Sequence, residues 1–119
     1  MVIPEPIKCD LDKIGGINGL VKSLPKNRKI EDISKIFQGL SDKFRLRILL
    51  IVNKQPVCVC IIKEILGISD SKLSYHLSTL KDSGLVYGEQ HGNWIIYYPT
   101  ELGVIISEFL QDNIKNSVK

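Results

Sequence analysis

Two groups of residues in this 119-residue chain could do chemistry: three thiols, and a run of hydroxyl, amine and imidazole side chains between Ser69 and Ser83. The thiols are Cys9, Cys58 and Cys60. They are either inert core residues or a site, since three cysteines in a reducing compartment do not make a disulfide framework. An enzyme is disfavoured. Cys58 or Cys60 with His76 lacks an orienting group and an oxyanion site, and no glycine-rich phosphate loop is present. The second group suits nucleic acid. Hydroxyls bond phosphates or base edges, Lys72 neutralises phosphate, and Tyr75 does both at longer reach. Ser69, Asp70, Ser71, Lys72, Ser74, Tyr75 and His76 form the candidate DNA-contacting set of this stretch, with a structural role for His76 as its alternative.

Hydrophobic spacing dictates the elements that carry these residues. Leu73, Leu77 and Leu80 recur at i, i+4 and i+7, which predicts a helix whose other side exposes Ser71, Lys72, Ser74, Tyr75 and Ser78. Before it, Ile61, Ile62, Ile65 and Leu66 predict a short helix opened by Pro56, stopped by Gly67 and followed by Ser69 as the next N-cap. Gly84 ends the second helix. Such a pair is a helix-turn-helix, whose second helix enters the DNA major groove, or else an ordinary helical hairpin with a solvated face. The residues after Gly84 favour the first. Leu85–Tyr87 and Trp94–Tyr98 are rich in aromatic and β-branched residues around a turn at 91–93, which predicts a β-hairpin. A hairpin after a recognition helix is a wing. His91 and Asn93 at its tip are candidate DNA contacts, or simple turn residues.

The remaining segments support that unit. Residues 1–29 read as an arm: Pro4 and Pro6 discourage an early helix, and glycines reduce the apolar pattern over 10–23 to a weak amphipathic helix. Residues 25–29 read as a solvated connector. Ile33, Ile36, Phe37 and Leu40 form an amphipathic stripe, after which Ser41 or Asp42 caps a helix that is apolar nearly all round and hence central. Arg45 and Arg47 are its polar exceptions. Residues 30–99 are thus the winged domain. Residues 100–119 form a C-terminal helix, capped by Thr100, whose apolar residues Leu102, Ile105, Ile106, Phe109, Leu110 and Ile114 call for a partner helix in a homodimer. The expected fold is mainly α with a small β-hairpin, a winged helix-turn-helix dimerised through terminal helices. A net charge of +3 permits nucleic-acid binding without demanding it, and 44% hydrophobic residues suffice for a core. No apolar run approaches a membrane span, and the first residues lack a signal-peptide pattern, so a cytoplasmic protein is expected.

The segment Leu40-Ser-Asp-Lys-Phe-Arg-Leu-Arg-Ile-Leu49 resembles the LSDPTRLRIL segment of the ArsR/SmtB family of metal-responsive winged-helix repressors. Leu66-Gly-Ile-Ser69, Leu73-Ser74, His76-Leu77, Leu80, Ser83-Gly84-Leu85-Val86 and His91-Gly-Asn-Trp94 agree in the same order, so the resemblance covers about residues 30–106. It implies a homodimer that represses transcription from a double-stranded operator until an inducer binds.

The same resemblance suggests the inducer. Val57-Cys-Val-Cys60 is similar to the ELCVCDL box of members that sense arsenic(III), antimony(III), cadmium or lead, and thiolates are what soft ions select. A helix N-terminus favours the thiolate form of Cys58 and Cys60. In a regular helix, however, residues i and i+2 point about 200° apart, so one ion reaches both only where the first turn is unwound. The box departs from the family at Pro56 and Ile61, where acidic residues stand, and at Lys63, where arsenic sensors carry a third cysteine. Cys9 resembles the arm cysteines of cadmium- and lead-sensing members, which implies a Cys9–Cys58–Cys60 trithiolate. The absence of histidine over 100–119 leaves out the family's other metal site. Oxidation of Cys9 with Cys58 or Cys60 is an alternative switch. A winged helix used for protein contact, without a DNA role, is another.

Overall fold

A computed structural model of the chain describes residues 1–117, with side chains through Asn113, as two units, 1–32 and from 33 onward. The first holds α1 (Glu5–Lys13), α2 (Gly16–Ser23) and the start of α3 (Asn27–Leu40). The prolines do not prevent the first helix. Pro4 is its N-cap and Pro6 lies in its first turn, where the missing N–H has no intrahelical partner to lose. The single weak helix expected over 10–23 is two helices instead, because Gly15 and Gly16 take φ of 93° and 70° and break the hydrogen-bond ladder. The expected connector is shorter too, since α3 begins at Asn27. Neither α1 nor α2 buries a residue.

The second unit is built on α4 (Lys43–Lys54), which contributes Ile48, Leu49 and Val52 to the core. Asp42 is its N-cap: its Oδ1 accepts the N–H groups of Phe44 at 2.7 Å and Arg45 at 3.1 Å. Ile62 of α5 (Val59–Leu66), Leu73, Leu77 and Leu80 of α6 (Asp70–Asp82), and Leu85, Val86 and Tyr97 complete the buried cluster. Strands β2 (Val86–His91) and β3 (Trp94–Pro99) form the expected hairpin, with His91 opposite Trp94 across a two-residue loop. Helix α7 (Glu101–Ser117) follows, its first turn capped by Thr100 Oγ1, which accepts from the Gly103 N–H at 3.0 Å and donates to the Gly84 carbonyl at 2.7 Å.

Two expectations about the centre of the chain are corrected. Pro56 does not open α5. It biases Gln55 towards extended backbone (φ −159°, ψ 119°), and Val57–Cys58 becomes a short strand, β1. This strand pairs antiparallel with β3, Val57 opposite Tyr97 and Cys58 opposite Ile96, giving a three-stranded sheet in the order β1-β3-β2. The apolar side of α5 also divides. Ile62 and Leu66 face inward, whereas Ile61 and Ile65 are exposed, because a helix this short has one side on the core. In α7, Leu102 and Ile106 pack against the core, Ile105 and Phe109 are exposed, and the expected role of Ile114 lies outside the described side chains. Among the described residues no helix is long and apolar enough to cross a membrane.

Candidate nucleic-acid interface and thiol site

The turn between α5 and α6 has the chemistry its sequence predicts. Gly67 takes φ 63° and ψ 34°, the left-handed C-terminal conformation, and its N–H returns to the Lys63 carbonyl at 2.8 Å. Ser69 Oγ then accepts the Lys72 N–H at 3.2 Å, starting α6. With Leu73, Leu77 and Leu80 held in the core, Ser71, Lys72, Ser74, Tyr75 and Ser78 project to solvent on one side of α6. This is an exposed row of donors, acceptors and one amine at helical spacing, suited to phosphates and groove edges. Asp70 is exposed, and its carboxylate meets Lys63 Nζ at 2.8 Å, tying the start of α6 back to α5.

His76 is different from its neighbours. It is buried, so it cannot reach a duplex from this position, and the alternative role as a structural residue is the one its surroundings favour. Its Nδ1 lies 2.9 Å from Nη1 of Arg45, itself buried. A guanidinium only donates, so Nδ1 must be the acceptor and His76 neutral. Burial lowers the pKa of His76; Asp42 opposes the shift, and Arg45 and Lys72 reinforce it. The 3.9 Å separation of Nδ1 from Asp42 Oδ1 is therefore no ion pair while His76 is neutral. Arg45 was legible only as a polar interruption in an apolar helix. Its contact with His76 was not.

At the wing tip His91 and Asn93 are exposed. His91 Nε2 is 3.2 Å from Glu89 Oε2 and 3.1 Å from the Tyr98 hydroxyl, and Tyr98 stacks on Tyr87 at 5.3 Å between centroids. These contacts stiffen one side of the hairpin around the imidazole. Gln90 Nε2 donates to the Gly92 carbonyl at 2.8 Å and closes the loop from its own strand.

The cysteine pair sits at the joint between β1 and α5. Cys58 is the extended N-cap of α5 (φ −73°, ψ 160°) and Cys60 lies in its first turn. The opposed directions of two helical residues therefore do not arise, because only one of them is helical. The two sulfurs are joined as a disulfide, with the Cα atoms 5.4 Å apart. The joint thus brings both sulfurs to one side, and sulfur is the donor type that soft metals and metalloids select. Beside them runs an open groove of about 480 Å³ lined by Pro56, Val57, Ile61, Trp94 and Ile96. Cys9 is exposed and belongs to the other unit. Among the described residues no three His, Cys, Asp or Glu side chains cluster as a ligand set.

Comparison with known proteins is consistent with this architecture. Residues 42–87 match the family described as "Bacterial regulatory protein, arsR family". The chain is 36% identical over 73 residues to an arsenical resistance operon repressor of Bacillus subtilis, covering 60% of this chain and 70% of that one. It is 32% identical over 98 residues to the cadmium resistance transcriptional regulatory protein CadC of Listeria innocua, covering 82% of each. In three dimensions it is similar to a homodimeric winged helix-turn-helix DNA-binding domain from Mycobacterium bovis. That similarity has a TM-score of 0.71 and 21% identity, covering 81% of this chain and 93% of that one. NolR from Sinorhizobium fredii superposes with a TM-score of 0.66 and 26% identity, covering 73% and 88%. The chain belongs to the arsR family of bacterial regulatory proteins, DNA-binding transcriptional regulators with the winged helix-turn-helix fold.

Proposed function

We propose that this protein is a homodimeric transcriptional repressor that grips its operator with α6 and the wing and is released by a soft metal or metalloid at Cys58 and Cys60. The supporting observation is where the pair stands. Cys58 is hydrogen-bonded through β1 to β3 of the wing, and Cys60 opens the helix that leads through Gly67 into α6. A change of backbone at this joint thus bears on both candidate DNA-contacting parts. Arsenite, antimonite, cadmium or lead would supply bonds to both sulfurs at once, in keeping with the arsenical and cadmium resistance of the relatives. The protein's own residues do the rest: the α5 N-terminus favours thiolates, β1 transmits the local backbone to the wing, and Gly67 is the hinge before α6. Cys9 is the proposed third thiolate, given from either subunit. Ser71, Lys72, Ser74 and Tyr75, with His91 and Asn93, are the proposed contacts to DNA, and Ser69 and Asp70 set the helix start.

Coupling between inducer and operator of about 1–3 kcal/mol gives a 5–150-fold change in affinity. The test is titration of the reduced dimer with cadmium or arsenite, following thiolate charge-transfer absorption and release of a labelled operator together. Both signals should move at one stoichiometry. Cys58→Ser and Cys60→Ser should retain DNA binding and lose the response; full induction of the double variant defeats the proposal.

The joined sulfurs favour a second reading, a switch by oxidation. Here a hydroperoxide takes two electrons and two protons from the dithiol, forming the Cys58–Cys60 bond and leaving as an alcohol and water. Operator release that follows a reversible mass loss of about 2 Da and ignores cadmium and arsenite would establish this reading over the first.

A further inference from the structure

Arg45 occupies a position that neither the metal switch nor the oxidation switch uses. Its guanidinium, buried in the second unit, has three directed contacts: Nε donates to the Gly39 carbonyl at 2.8 Å, Nη2 to the Gln38 carbonyl at 3.3 Å, and Nη1 to His76 Nδ1 at 2.9 Å. The first two carbonyls belong to the last turn of α3, beyond the reach of its i+4 ladder, and that of Gln38 also accepts the Ser41 N–H at 3.2 Å. The third contact is to the middle of α6. One planar fork therefore spans the α3 terminus and the candidate DNA-reading helix. Its carbon also lies 5.9 Å from the centre of the Tyr75 ring, on the outward side of α6.

We infer that Arg45 is the positioning residue of the DNA-reading helix, and that His76, as the acceptor it grips, makes operator affinity fall on acidification. The inference rests on the DNA-binding role of α6. The charged and titratable groups around His76 are Asp42 and Arg45 from the start of α4, and Lys72 and Tyr75 from its own helix. Phe44 closes the site with a ring 5.6 Å away. Protonated at Nδ1, His76 has no lone pair for Arg45 and repels it. Asp42, 3.9 Å from that nitrogen, becomes the favourable partner. His76 then exchanges a donor fixed to α3 for the carboxylate that caps α4. Only the neutral form holds α6 where it reads DNA, so the apparent affinity scales with the neutral fraction.

The binding of the reduced, inducer-free dimer to an operator duplex, from pH 7.5 to 5.0, tests this, with circular dichroism recorded at each pH. His76→Asn places an amide oxygen near Nδ1 and removes the titration. It should bind like the wild type at pH 7.5, while the wild type loses affinity relative to the variant as the pH falls to 5.0. His76→Leu leaves Arg45 without its acceptor and should weaken binding about tenfold at pH 7.5 with helicity retained. Coincident pH profiles for wild type and His76→Asn, or undiminished binding by His76→Leu, overturn the inference while leaving DNA binding intact. Failure of the wild type to bind any fragment upstream of its own gene at pH 7.5 defeats the DNA-binding role and the inference together.

Discussion

Asp42 and His76 sit at one corner and respond to acid in different ranges. Burial opposes the charge of the Asp42 carboxyl, but the N–H donors of Arg45 and Phe44, then His76 and Arg45, bring its pKa below 3.8. A lowered carboxyl contributes stability that is present above its unfolded value and lost as pH falls below about 3.8. For His76, lowered from 6.5, the unfolded chain takes up the proton first, so stability declines as pH falls below about 6.5 towards the folded value. Urea denaturation between pH 8 and 3 should thus show two declines, and His76→Asn should remove only the first. Asp42→Ala, which strips the cap from α4, should cost about 1 kcal/mol at pH 7. At this scale the sequence was informative where chemistry is local. The caps at Asp42 and Ser69 and the turn at Gly67 were legible because each needs only its neighbours in the chain. The pairing of His76 with Arg45 was not, since the two lie 31 residues apart.

At the scale of elements, α6 stands out because a strict leucine spacing leaves only one way for Ser71, Lys72, Ser74, Tyr75 and Ser78 to face. Lys72→Ala should weaken operator binding similarly for all sequences and reduce the salt slope by about 1, the mark of one lost phosphate contact. A slope unchanged within error would assign Lys72 to the protein surface alone. Gly67→Ala, at φ 63°, should destabilise the unit by about 1–2 kcal/mol in the same urea experiment, although nothing lies within 4 Å of the added methyl. The two departures in the centre of the chain have a common cause. Strand β1 is two residues long and exists because β3 offers it an open edge, which no local pattern records. Ile61 and Ile65 satisfy a helical pattern as well as Ile62 does, yet only one side of α5 meets the core.

For the molecule as a whole, the remaining burden is apolar surface. Ile105 and Phe109 are 59% and 60% exposed on α7, one turn apart on a helix whose Leu102 and Ile106 are packed against the core. Covering them with the same helix of a second copy gives a two-fold pair and two α6 helices for successive turns of a duplex. Phe109→Glu should convert the proposed dimer to a monomer in sedimentation and lower operator affinity about 100-fold or more, since the second half-site is then bound from solution. A Phe109→Glu dimer of wild-type affinity would place the interface elsewhere.

The order of helices from α3 to α7, the α5–α6 turn, the hairpin and the two chemical groups were set by residue type and spacing, because hydrophobic period, capping and turn conformation act over a few residues. Folding in three dimensions decided the rest. It made Cys58 a strand residue beside the wing, withdrew His76 from the solvent and placed Arg45 between α3 and α6. Each of these depends on which distant backbone happens to lie alongside, and sequence spacing holds no measure of that.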